Sequence, residues 1–225
     1  MTARRSPREL PGNPGMLTRI YRHSQFGTAD PCSDTAERWA VAVTEPGDDD
    51  EDGPQVGELT LYRLRAYTGH SWLMAADSES GELLSIAEAV LDGNDYNEEF
   101  LKAIDMPVGD LLVLDRVYLA PAWRGFGLGP VFAAEAIRGL EGGCCAVAVE
   151  PGATEWPEDE SLVTDEYSAT VTRKIAALWE TIGFQHFKDG IYLRDTAVDR
   201  GGILRERRQH LRTLSEAHRA SKASR

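Results

Sequence analysis

Val117–Val131 reads VYLAPAWRGFGLGPV, and this stretch decides the fold. The run leading into it, Asp110–Leu119 (DLLVLDRVYL), is strongly apolar and predicts a buried strand. Pro121 cannot donate to a sheet ladder and ends it. Gly125, Gly127 and Gly129 then fall within five residues, directly after Arg124. Pro130 opens PVFAAEAIRGL, a helix predicted over 130–140, where proline suits the first position. The order is therefore strand, glycine turn, helix. Glycines let backbone N–H groups crowd around an anion. The helix start adds unsatisfied N–H donors and a partial positive charge. Together they make a phosphate cradle, to which Arg124 can add a forked, charge-assisted bond. Two familiar phosphate loops fail on spacing. The dinucleotide pattern G-x-G-x-x-G, counted from Gly125, meets Pro130 at its sixth position. The nucleoside-triphosphatase loop needs G-K-[ST], and Gly129 is followed by Pro-Val.

Outward from this core, Gly142–Glu150 (GGCCAVAVE) is a nearly continuous apolar strand, expected to be buried on both faces. Arg38–Glu45 and Gln55–Arg65 read as two strands paired antiparallel across Pro46–Pro54. The consecutive acids Asp48 to Asp52 make that turn an exposed one. Ser71–Ala76 is read as a third strand, Ser80–Asp92 and Asn97–Ile104 as helices. Thr170–Ile182 is an amphipathic helix stopped by Gly183, and Phe184–Leu193 supplies one more strand. Helices fall between strands in the second half, so the class is mixed α/β (α+β). Three regions are expected: a flexible basic leader over 1–16, one domain over 17–197, and a basic, helix-prone tail over 198–225.

Composition narrows the function. The chain has 225 residues, 42% of them hydrophobic, enough for a sizeable core. Cys144 and Cys145 are adjacent and Cys32 is distant, which fits neither a disulfide framework nor a metal site. A reduced, cytoplasmic protein is expected, with no metal and no membrane span. The formal net charge is −13. The first 22 residues carry five Arg and one Glu, and the last 28 carry eight basic and three acidic side chains. The body between them holds the balance, −22. Such a body repels phosphate backbones, so nucleic acid is not the expected partner. The tail arginines Arg205, Arg207, Arg208, Arg212 and Arg219 keep a nucleic-acid-associated role as a rival. The tail can otherwise cover the domain or pair with a second copy in a homodimer.

The pattern Arg-x-x-Gly-x-Gly, after a strand ending V-Y-L-x-P and before a helix, resembles the acyl-CoA loop of the GCN5-related N-acetyltransferase superfamily. About fifty residues on, Ala177–Phe184 (ALWETIGF) resembles that family's second motif, A-L-Y-E-x-x-G-F. The resemblance implies a mixed, mostly antiparallel sheet with one splayed parallel strand pair. It implies acetyl-CoA or another short acyl-CoA as cosubstrate. The diphosphate would lie on Arg124, Gly125, Phe126, Gly127, Leu128, Gly129 and Pro130, and the pantetheine arm beside Val117, Tyr118 and Leu119. A backbone N–H near Leu119 would polarise the thioester carbonyl. The implied reaction is direct attack by an amine, on a small molecule or a protein.

Two departures stand out. The family's acidic tyrosine is replaced by Trp179, whose indole is not a usable acid. The cofactor-contacting asparagine seven residues earlier is replaced by Thr172, which is shorter but can still hydrogen-bond and so stays a candidate cofactor-binding residue. Candidate bases are Glu150, at the end of its strand, and Asp115, inside an apolar strand where burial would raise its pKa. Tyr118, Tyr167 and Tyr192 are candidate acids, while Cys144, Cys145 and His186 read as structural. Glu155, Glu158, Asp159, Glu160, Asp165 and Glu166 would draw a cationic acceptor. The alternative reading is a non-catalytic acyl-CoA sensor of the same fold, motivated by Trp179.

Overall fold

A computed structural model describes residues 9–24, 32, 34–47, 52–155 and 163–224. Three strands come first: β1 (Thr18–Ser24), β2 (Ala36–Pro46) and β3 (Asp52–Leu64). The helices α1 (Trp72–Glu79) and α2 (Gly81–Val90) follow, then a two-residue hairpin, β4 (Leu91–Asp92) with β5 (Asp95–Tyr96), and α3 (Glu98–Ala103). The second half runs β6 (Asp110–Leu119), α4 (Leu128–Leu140), β7 (Cys144–Val149), α5 (Asp165–Glu180), β8 (Gln185–Lys188), β9 (Ile191–Asp195) and α6 (Gly201–Ala223). Seven strands form one sheet in the order β1-β2-β3-β6-β7-β9-β8. Every neighbouring pair is antiparallel except β6 and β7, which are parallel and joined through α4. This is the mixed architecture expected for a GCN5-related N-acetyltransferase fold.

Two apolar layers cover the sheet. On one face α1, α2 and α3 bury Trp72, Leu83, Ile86, Val90 and Phe100 against Tyr62, Leu64, Leu111 and Val113. On the other, α4 and α5 bury Leu128, Phe132, Ile137 and Trp179 against Leu59, Leu61, Leu112 and Val147. Alternation along β6 sorts Leu112 and Leu114 to one layer and Leu111 and Val113 to the other. β7 is buried along its whole length, as a strand covered on both faces must be.

Several elements differ from the sequence reading. Ser71–Ala76 is not a strand. The Ser71 side chain accepts a hydrogen bond from the Met74 N–H, a helix cap worth about 1 kcal/mol, and the Leu-Met-Ala-Ala run that follows is helix-forming. Phe184–Leu193 is two strands, β8 and β9. Asp189 and Gly190 both take positive φ (50° and 81°), the conformation of a tight hairpin turn. β1 escapes a reading by periodicity because its TRIYRHS is mostly exposed and lies at the sheet edge, where no apolar alternation is required. α5 starts five residues earlier than Thr170, capped by Thr164, whose side chain accepts from the Tyr167 N–H.

α6 lies along α4. Ile203, Leu204, Leu211 and Leu214 pack on the α4–α5 layer. Glu135, only 7% exposed, receives two bonds from Arg208 (2.5 and 2.9 Å) and lies 3.4 Å from Arg19 of β1. The Ser215 hydroxyl donates to Asn13 at 2.6 Å, joining the two ends of the described chain. No helix among the described residues is long and apolar enough to cross a membrane.

Candidate functional site

The parallel pair opens. β6 and β7 pair only from Asp110↔Cys144 to Val113↔Ala148. Beyond Val113, β6 continues against β3 as far as Leu119, while β7 stays with β9. The cause lies at Asp115. Thr60 faces Arg116 and Leu61 faces Leu114, so Asp115 is an extra residue in the ladder. A bulge of this kind bends its strand and increases twist. The opening therefore begins where the bulge sits. The Ala120 N–H bonds to Val56 on β3. By alternation, the N–H and C=O groups of Val117 and Leu119 point away from β3, into the opening.

A cavity of about 520 Å³ fills this opening. One wall is Leu114 to Val117 and Leu119 of β6. The start of α4 forms another, through Arg124, Gly125 and Gly127 to Pro130. Val149, Glu150 and residues 152–155 border it beyond β7. Val171, Ile175, Leu178 and Trp179 of α5 close the far side. The cavity thus joins an apolar slot to a helix N-terminus.

The glycine turn has the conformation a cradle needs. Gly125 (φ +86°) and Gly127 (φ +71°) are both left-handed, which L side chains rarely adopt. Gly127 is the N-cap of α4 and has no side chain to cap it, so the first N–H groups of the helix are left for a ligand. Gly129 is different. Its φ is ordinary, and a Cβ there would meet nothing within 4 Å. No atom of the described residues requires glycine at 129, but a ligand approaching the backbone would. α4 therefore starts at Leu128, two residues before Pro130. The residues present fit a diphosphate-bearing ligand.

Arg124 is already engaged. Its Nε donates to the Leu119 carbonyl (2.6 Å), Nη1 pairs with Glu155 (2.7 Å), and its guanidinium lies 5.3 Å from the Tyr118 ring centre. The Glu155 carboxylate raises the Arg124 pKa further and is itself held below its ordinary value. Glu155 thus lies against the loop. Glu158, Asp159 and Glu160, the rest of the acidic rim, lie outside the described residues, and Asp165 and Glu166 are exposed in the first turn of α5.

Both candidate bases border the cavity. Burial pushes the Asp115 carboxyl above its usual range; Arg116 opposes this, Glu82 of α2 reinforces it and Arg38 opposes it. Burial also raises Glu150, again helped by the charge of Glu82. The charge of Glu82 thus bears on both carboxyls, and nothing local in the sequence marks it. Tyr118, Tyr167 and Tyr192 do not line the cavity. Thr172 does not either; its neighbour Val171 does. Trp179 is buried and forms part of the wall. Cys144 and Cys145 are buried, and burial pushes the Cys144 thiol up to about 12, far from a reactive thiolate. His186 is exposed beside Tyr192.

One contact escapes the sequence reading entirely. His210 of α6 places Nε2 2.7 Å from the Phe126 carbonyl, inside the glycine turn. A Cβ on Gly127 would come within 3.1 Å of the same nitrogen. The signal for it is faint: His210 adjoins Leu211 on the edge of a weak apolar stripe.

No model of a known protein family matches the chain, and no curated protein matches it by sequence. Two solved structures are similar in part. AtaT complexed with acetyl-methionyl-tRNAfMet is 14% identical, with a TM-score of 0.39 over 71% of this chain and 72% of that one. A point mutant of KacT is 13% identical, with a TM-score of 0.37 over 84% of this chain and 98% of that one. At these values the likeness carries no functional argument, which rests instead on the opened strand pair and the glycine turn.

Proposed function

We propose that the protein is an N-acyltransferase that moves an acetyl or other short acyl group from acyl-CoA to an amine. The observation that carries this is the cavity at the opened β6–β7 pair, with free α4 N–H groups at one end and raised-pKa carboxyls along its border. The diphosphate would lie on the turn at 124–130 and the pantetheine arm beside the gap-facing backbone of Val117 and Leu119. The Leu119 N–H would take up charge developing on the thioester oxygen. Asp115 or Glu150 would remove the proton from an incoming ammonium, and the raised pKa of each suits that work. The amine nitrogen then attacks the carbonyl carbon and gives up a second proton to solvent, the C–S bond breaks, and the thiolate takes its proton from solvent, since Trp179 supplies none.

Glu82, Asp115 and Glu150 together favour a cationic acceptor, as a small molecule or a protein side chain. The indole at 179 is the one feature that favours the sensor reading instead. Thiol release separates the two. Purified protein given acetyl-CoA and a panel of primary amines should release CoASH with at least one of them, and mass spectrometry should find the matching amide. Saturable CoA binding with no thiol release across the panel would establish the sensor. No CoA binding at all would end both readings.

A further inference from the structure

A second cavity, of about 430 Å³, lies between the last turns of α4 and the first turn of α6. It sits at the opposite end of α4 from the glycine turn, a helix length of ~20 Å away. Its border carries Arg138, Arg194, Arg200, Arg205 and Arg208. The acids nearby are mostly engaged. Glu135 holds Arg208, Glu141 accepts from Arg194 at 3.2 Å, and Asp199 accepts from the Gly201 N–H at 2.8 Å. Arg138, Arg200 and Arg205 make no ion pair among the described residues.

Two arginines with buried Nε atoms mark this as a place for an anion. Arg194 has a side chain only 10% exposed, and its Nε is buried without a hydrogen-bond partner. The Nε of Arg200 is buried and unpartnered as well. Burial, and then the charge of Arg200, depresses the Arg194 pKa in spite of Glu141. The helix itself adds to this. α6 is 23 residues long, its N-cap is Arg200 with no side-chain cap, and its first turn contains no acid. Arg205 folds back over that turn, with Nη1 3.6 Å from where a Gly201 Cβ would stand. Cations stabilise helix C-termini and are unfavourable at N-termini. Here guanidinium groups gather at the positive end of a long helix, and an anion in the cavity would pair with Arg138, Arg200 and Arg205, which hold no carboxylate among the described residues.

We propose that this cavity binds a small phosphate-bearing anion of diphosphate or nucleoside-diphosphate size, at a site separate from the acyl-CoA cavity. The inference does not depend on the acyltransferase reading. It assigns to Arg200 and Arg205 a role in the intact domain rather than in a free basic tail.

Calorimetric titration tests it, with inorganic pyrophosphate and ADP as separate probes and equal ionic strength maintained with sulfate-free salt. Three proteins are compared: the native chain, Arg200→Gln/Arg205→Gln, and Gly129→Leu, whose new side chain would fill the first cavity. The native chain should bind one equivalent at the arginine cavity. The double variant should lose at least tenfold in affinity, and Gly129→Leu should retain it. The double variant should keep the native circular dichroism spectrum and a cooperative thermal transition, which shows that it is folded. Pyrophosphate binding stronger than ADP binding points to free diphosphate, and the reverse to a nucleotide; both support the proposal. Absence of binding to the native chain would overturn it. So would binding abolished by Gly129→Leu but unchanged in the double variant. Capture of a single-stranded oligonucleotide through the same arginines, with no pyrophosphate binding, would also overturn it in favour of nucleic acid.

Discussion

At Gly129 the helix accepts a residue that weakens it, although the surrounding protein leaves room for a larger one. Glycine within a helix is about 0.5–1 kcal/mol less favourable than alanine. Gly129→Ala should therefore raise Tm slightly while weakening CoA binding several-fold, and the two effects should move in opposite directions in the same calorimetric series. Asp115 presents a related conflict. Its folded pKa is raised, so the proton binds the native state more tightly, and its stabilising effect is lost as pH rises through the folded pKa. Asp115→Asn should accordingly unfold at higher temperature than the native chain at pH 7, and the gain should vanish in acid below the ordinary carboxylate range. If Asp115 is the base, the same variant loses turnover and retains CoA binding. If Glu150 is, Glu150→Gln does so. In either case kcat/KM of the native chain should fall on the acid side, with its midpoint above the ordinary carboxylate range, as a pH-rate profile would show.

Elements carry the next level of control. α6 reaches the glycine turn through His210, which bonds to the Phe126 carbonyl. That bond fixes the turn on which we propose the diphosphate lies. His210→Ala should weaken CoA binding, and His210→Gln, which can present a nitrogen at similar reach, should recover part of the loss. Binding of pantetheine, which lacks the diphosphate, should be the same in all three proteins. Deletion of 198–225 consequently removes more than a basic tail: it takes away a support of the cradle and uncovers part of the α4–α5 layer. The clasp at Glu135 sets the acid sensitivity of this packing. Arg208, opposed by burial and aided by Arg19, holds the Glu135 pKa below its ordinary value. Its contribution is therefore present above the unfolded carboxylate pKa and lost as pH falls through the folded one. Glu135→Gln should lower Tm at neutral pH, by about 1–3 kcal/mol of stability for the lost charged hydrogen bonds, and the difference should shrink in acid.

Over the whole molecule, a ligand that binds only the folded state raises Tm in proportion to the logarithm of its concentration over Kd. Saturating CoA at about a hundredfold excess over Kd should stabilise the chain by about 2.7 kcal/mol, and a thermal shift assay would show it. Failure to shift with CoA while pyrophosphate still does would separate the two cavities. Much of the fold is legible along the chain. The strand 110–119, the glycine turn and the helix after it can be read because hydrophobic period, Pro and Gly placement and helix-start chemistry are local. Edge strand β1 and the early turns of α5 cannot, since neither has an apolar period of its own. Ser71–Ala76 misleads because the five-residue apolar run Trp72–Ala76 fits strand and helix alike, and the Ser71 cap decides between them.

The candidate site divides along the same line. Local chemistry determined the turn at 124–130, the rise in Asp115 expected from its apolar strand, and the absence of a tyrosine at 179. Only the tertiary structure decided that the bulge at Asp115 opens β6 from β7, that Glu82 acts on both candidate bases, that Glu155 engages Arg124, and that His210 supports the turn from 84 residues away. The reason is physical: backbone conformation and helix capping depend on residues a few positions apart, whereas burial, fields and long-range hydrogen bonds depend on what packing brings together.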